Sequence, residues 1–177
     1  IANDLRKSLD PKSGALLARN PYSKEFSNRA VFLDVSEPTR FVTGDRIEFI
    51  GRNGTMASPS AMRRDRLSGK AGAGIDPCAA TQVKFELDDG REKEIVFTFG
   101  SGRTPDEARD LVRRFGGVEA ARQELGRVWE YWKRILGVVY VETPDASINF
   151  LVNGWLQYQI ISCRLLGRSG FYQSGRA

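Results

Sequence analysis

The period of the sequence changes once, at Gly100-Ser101-Gly102, and that change limits the folds open to the chain. Before it, apolar residues alternate with polar ones. In residues 79–87 (AATQVKFEL), Val83, Phe85 and Leu87 face one way and Gln82, Lys84 and Glu86 the other. In residues 93–99 (KEIVFTF), Ile95, Phe97 and Phe99 share a face. One apolar face at a period of two marks half-buried antiparallel strands. Asp88-Asp89-Gly90 lies between the runs, so a hairpin is expected there, with Val83, Phe85, Ile95 and Phe97 buried. After Gly102 the period is 3.6. Thr104 with Pro105 behind it and Glu107 three residues on is a capping box, which predicts a helix to about Phe115. Gly116-Gly117 stops it. A second amphipathic helix is expected from about Val118 to Leu136, with Leu125, Val128, Trp129 and Trp132 on its apolar stripe. Strands followed by helices indicate an α+β chain of two layers or two domains.

The earlier strands are shorter. Residues 30–35 (AVFLDV) alternate, with Val31, Leu33 and Val35 on one side. Residues 40–43 and 46–50 fit a second hairpin around Thr43-Gly44-Asp45. Gly51-Arg52-Asn53-Gly54 is a turn. Residues 55–77 are mostly loop. Glycines 69, 72 and 74 are close together there, but GxGxxG is absent and no strand leads into the loop. A dinucleotide cradle is therefore not expected.

The most apolar stretch begins at Thr143, an N-cap candidate with Pro144 in the first helical position. The helix it predicts is apolar on most sides and reaches Gly167, with Gly154 as its weak point. Its one polar stripe, Asn149, Asn153, Gln157, Arg164 and Arg168, lies on one helical face. Two arginines and several amides argue against a membrane span, so the helix is expected to be buried. Two accounts of the stripe stay open: bonds to neighbouring helices, or the wall of a polar ligand cavity.

Composition excludes several functions. Histidine is absent and the two cysteines, Cys78 and Cys163, stand in unlike contexts. That removes His-based acid–base chemistry and a zinc cage, so no metal and no cofactor are expected. It also suggests reduced thiols. The formal net charge is +5, with Arg63, Arg64, Arg66 and Lys70 the densest basic cluster. No aromatic residue falls between positions 55 and 82, so nucleic acid is not the expected partner. No secretory signal opens the chain. It begins without Met and stops at Gly175-Arg176-Ala177, which suggests a fragment.

Four segments carry a resemblance. They are DRIEFIGRNG (45–54), GAGIDPCAA (72–80), TPDASINFLVNGWLQYQ (143–159) and RSGFYQSG (168–175). In this order they resemble the phosphorylases of glycoside hydrolase family 94, in particular the C-terminal region of cyclic β-1,2-glucan synthases and β-1,2-oligoglucan phosphorylases. The resemblance runs from about residue 15 to residue 175. It implies an antiparallel β-sandwich over residues 1–102, a helical linker over 103–142, and the opening of an (α/α)6 barrel over 143–177. It also implies an inverting reaction, in which one carboxylic acid protonates the leaving oxygen while phosphate attacks the anomeric carbon. One catalytic carboxylate then suffices, where ordinary glycosidases need two. In the family that acid is an Asp further along the barrel, so no catalytic residue is expected within these 177 residues, and the chain alone is expected to be inactive. Arg176 stands where the family usually has a second Gly.

Sandwich loops approach the barrel mouth in this family. Arg52 and Asn53 at a turn tip, Gln173 and Ser174 after the apolar helix, and Arg164 as a weaker member are the expected substrate-binding residues. The implied partners are a β-glucan oligosaccharide and inorganic phosphate, with no membrane span in this chain and a homodimer left open. A cytoplasmic location is implied, within a soluble enzyme or the cytoplasmic face of an inner-membrane synthase. The competing reading is a non-catalytic sandwich that packs against partners or binds sugar.

Overall fold

A computed structural model describes residues 5–22 and 24–167. The chain divides into two compact units, residues 1–122 and 123–177.

Among its described residues the first unit holds six strands: β1 (Arg6–Leu9), β2 (Leu16–Arg19), β3 (Ala30–Val35), β4 (Arg40–Asp45), β5 (Pro77–Val83) and β6 (Phe97–Gly102). They form an antiparallel four-stranded sheet in the order β1-β2-β3-β6 and an antiparallel pair, β4-β5. Helix α1 (Arg46–Ile50) follows β4 directly, and α2 (Pro105–Phe115) follows β6. The main core lies between the larger sheet and α2. Ala15, Leu17, Ala30 and Phe32 meet Ala108 and Val112 there, and all are buried. A second core joins Ala61, Leu67 and Ala80 beside β4-β5.

The glycines at the change of period seat α2. A Cβ on Gly102 would lie 2.5 Å from the Ala108 backbone nitrogen, and one on Gly100 would lie 2.6 Å from the Phe32 ring. Strand β6 can pass beneath the helix only without side chains at these points. Thr104 caps α2 as expected, its Oγ1 accepting from the Glu107 N–H at 3.2 Å. The Glu107 carboxylate accepts from the Arg103 N–H at 2.6 Å. Arg109 on α2 donates to Asp10 at 3.1 Å and so ties the helix to the β1–β2 turn.

Both expected hairpins are corrected. Strand β5 pairs with β4 (Thr43 opposite Ala80), and β6 pairs with β3 (Leu33 opposite Phe99). Residues 84–96 between them form neither helix nor strand. Phe85 and Phe97 are exposed, and Val83 and Ile95 are half-buried. Alternation reports which side chains share a face but not which strand lies alongside. Here each run found a partner far away in sequence. Residues 46–50 are helical because Asp45 caps them, its carboxylate accepting from the Ile47 N–H at 3.0 Å. In β3, Val31, Leu33 and Val35 share a side as expected, but Ala30 and Phe32 on the opposite side meet α2.

The second unit contains the end of α3 (Val118–Leu136), an extended connector, and a helical run of four pieces. These are α4 (Ala146–Phe150), a π turn (Leu151–Trp155), α5 (Leu156–Ile161) and a second π turn (Ser162–Leu166). The N-cap is Asp145 rather than Thr143, and Gly154 lies inside the first π turn. The expectation of a buried helix is also corrected. None of the described residues in 123–167 is buried, and Phe150 is 76% exposed. Apolar periodicity marks the face that can be buried, and within this unit nothing described covers it. Among the described residues no helix is long and apolar enough to cross a membrane.

Candidate functional site

The corner where β4 turns into α1 gathers two of the four quoted segments. Asp45 stands opposite Pro77 in the β4-β5 register, and the Arg46 N–H donates to the Asp76 carbonyl at 2.9 Å. DRIEFIGRNG and GAGIDPCAA are thus two sides of one structure.

Glu48 sits at its centre, 8% exposed. Its carboxylate accepts from the Thr43 hydroxyl, from the Ser68 N–H at 2.9 Å and from the Ser68 hydroxyl at 2.7 Å. The Arg64 guanidinium lies 3.7 Å away. Burial pushes the Glu48 carboxyl up, but these donors and the Arg64 charge outweigh it, and the group sits below its ordinary value. Asp45, also buried, is bonded to Lys70, which holds it low against the opposing effect of burial. Further bonds complete the hold on the loop. Ser60 Oγ donates to the Glu48 carbonyl at 3.1 Å, and the Gln82 side chain accepts from Leu67 N–H and donates to the Arg64 carbonyl. Two buried carboxylates therefore fasten the loop of residues 51–76 at Arg64, Ser68 and Lys70. Cys78 beside them has its thiol pushed up to about 11, chiefly by burial, and is no nucleophile at neutral pH.

The turn of residues 51–54 projects from this base. Gly51 ends α1 with φ 95°, its N–H donating to the Ile47 carbonyl at 2.9 Å. A Cβ on Gly54 would lie 1.9 Å from the Ile50 carbonyl oxygen, so only glycine permits the return of the chain. Arg52 and Asn53 at the tip are exposed, and among the described residues neither side chain has a hydrogen-bond or ion-pair partner. Arg164 belongs to the second unit and is exposed. Gln173 and Ser174 lie outside the described residues.

The polar stripe of the second unit has partners. The Asn149 amide accepts from the Thr143 N–H at 2.8 Å and donates to the Thr143 carbonyl at 3.0 Å. Asn153 does the same with Val141, both at 2.8 Å. Gln157 donates to the Val139 carbonyl at 3.0 Å. The stripe was expected to bond neighbouring helices or to line a cavity; these three residues instead bond the extended connector that precedes their own helix. Trp132 packs edge-on against Tyr158 beside them, ring centres 5.4 Å apart. Sequence reasoning found the stripe but missed Glu48 and Asp45. The available signal was an acid enclosed by apolar residues in Ile47-Glu48-Phe49-Ile50.

Antiparallel sheets followed by helices fit the two family models that match the chain. Glycosyl hydrolase 94, supersandwich domain, describes residues 5–118. Glycosyl hydrolase 94 superfamily, catalytic domain, describes residues 131–177. The chain belongs to glycosyl hydrolase family 94. Among its relatives, the cyclic beta-(1,2)-glucan synthase NdvB of Rhizobium meliloti (strain 1021) is 34% identical over 95% of this chain. A cellobionic acid phosphorylase of Neurospora crassa is 31% identical over 60% of the chain. A 3-O-beta-D-glucopyranosyl-beta-D-glucuronide phosphorylase of Paenibacillus borealis is 29% identical over 70%. The chain spans 6% of the synthase and 14% and 16% of the two phosphorylases.

Proposed function

We propose that this chain is the sandwich-to-barrel part of a phosphorylase or cyclic β-1,2-glucan synthase that acts on β-glucans with inorganic phosphate, in the cytoplasm. Residues 1–102 serve as the sandwich, 103–142 as the linker and 143–177 as the entry to an (α/α)6 barrel. The general acid is an Asp of that barrel beyond the four quoted segments, and this chain contributes sugar-orienting groups. The observation that carries the reading is the tip of residues 51–54. Arg52 and Asn53 have no partner among the described residues, yet the loop behind them is fastened by buried Glu48 and Asp45. Free donors on a fixed base suit the orientation of sugar hydroxyls, because little freedom is lost when the sugar binds. Arg164, Gln173 and Ser174 are assigned to the same sugar from the catalytic-domain side.

The test is Arg52→Ala and Gln173→Ala in the full-length protein. The reading expects phosphate-dependent release of glucose 1-phosphate to fall for both while the melting temperature stays the same. Unchanged turnover in both variants removes these residues from the site. A second reading, a non-catalytic sugar-binding or packing module, draws on the core that closes within the first unit. Glucose 1-phosphate release by the full-length protein decides against it.

A further inference from the structure

We infer that Asn149, Asn153 and Gln157 form a graded fastener for the extended connector, a strap fixed at Thr143 and able to peel from Val139. The geometry is a near match of two repeats. Residues four apart on an α-helix advance about 6 Å, and less where the run passes through the π turn Leu151–Trp155, while residues two apart on an extended chain advance roughly 6.6 Å. A row of amides on the helix can therefore meet alternate peptides of the strap, but each rung falls a little further out of step. The bonds follow that drift. Thr143 makes two backbone bonds with the Asn149 amide, and its hydroxyl shares one proton between the Asn149 amide oxygen at 2.8 Å and the Asp145 carbonyl at 2.9 Å. Val141 makes two with Asn153, and Val139 makes one with Gln157.

The third residue of the row is Gln, one methylene longer than Asn, which supplies reach where the drift is largest. The second N–H of its amide donates to the Val152 carbonyl at 3.0 Å in the first π turn, so only one of its donors reaches the strap. The weakly held end carries Val138 and Tyr140, 78% and 74% exposed. The strap thus has a firm end at the start of the helical run and a loose end where α3 stops. It is a hinge whose opening order is written in its rungs.

Amide hydrogen exchange in the full-length protein tests this. The Val141 and Thr143 N–H groups, which donate to the Asn side chains, should be protected, while those of Tyr140 and Glu142 exchange freely. Asn153→Leu should speed exchange at Val141 by roughly tenfold and leave Thr143 protected. Gln157→Asn should leave both protected and raise the mobility of residues 138–140 in backbone relaxation. It keeps an amide at the position, so it carries the test if Asn153→Leu loses helical circular dichroism. Equal exchange at Val141 with and without the Asn153 amide overturns the fastener. Unchanged mobility of residues 138–140 in Gln157→Asn, or loss of Thr143 protection before that of Val141, overturns the grading.

Discussion

The loop of residues 51–76, irregular apart from one short 3-10 turn (Ser60–Arg63), and the extended connector of residues 138–142 are held by different chemistry. The loop is held by charge. Glu48 and Asp45 are buried carboxylates, and they take Ser68, Arg64 and Lys70 from the loop as partners. The connector is held by neutral amides on an exposed helix. Burial differs in the same direction, since the first unit closes a core around Phe32 and Ala108 and no described residue of 123–167 is buried. A charge-held loop on a closed core should be rigid and sensitive to acid. An amide-held strap should be indifferent to pH across the physiological range, because the side chains that hold it are neutral amides.

The largest effects should separate the two regions outright. Phe32→Ala removes a ring that is 3% exposed in the main core and should cost about 3–5 kcal/mol in chemical denaturation. Phe150→Ala, 76% exposed, should change the stability of the 177-residue chain by less than about 0.5 kcal/mol. Similar losses from both would erase the distinction between a closed and an open unit.

Glu48→Gln should come next, at about 2–3 kcal/mol near neutral pH, because it removes charged hydrogen bonds at a buried site. Its dependence on pH has a definite sign. The folded carboxyl sits below its ordinary value of 4.5, so its contribution is complete above that pH. It is lost as the pH falls through the lowered folded value. The stability gap between wild type and Glu48→Gln should therefore be wide at neutral pH and close in acid. A gap that widens in acid contradicts the charge-held loop.

Thr104→Ala should cost about 1 kcal/mol through loss of the α2 cap, read as a shift of the denaturation midpoint. Arg52→Ala should be the smallest, within about 0.5 kcal/mol, since the side chain touches no described partner. A larger loss would make Arg52 part of the scaffold and weaken its assignment to the sugar.

Much of the fold was legible because local rules governed it. Thr104, Pro105 and Glu107 specify the start of α2 through contacts within one turn, and Gly116 ends it. The β3 run and the helix over residues 118–136 were legible for the same reason. The hairpin over residues 79–99 failed because strand pairing is set by packing between distant segments, and its alternating pattern is equally satisfied by β3 and β4 as partners. The segment 46–50 failed because a short apolar run fits either period, and the capping bond from Asp45 decided for the helix. In the site, Arg52 and Asn53 were legible as a turn tip. The carboxylates that fasten the loop were not, because Glu48 meets Ser68 only after a long loop has closed.

The central claim is that the Glu48 carboxylate fixes the loop behind Arg52 and Asn53. Amide exchange at Ser68, compared between wild type and Glu48→Gln at neutral pH, tests it most directly. The Ser68 N–H donates to Glu48 at 2.9 Å, so it should be protected in wild type. In Glu48→Gln that protection should drop by roughly tenfold or more while Val141, held by Asn153, is unchanged. Rapid exchange at Ser68 in wild type, or equal protection in both proteins, would contradict the account.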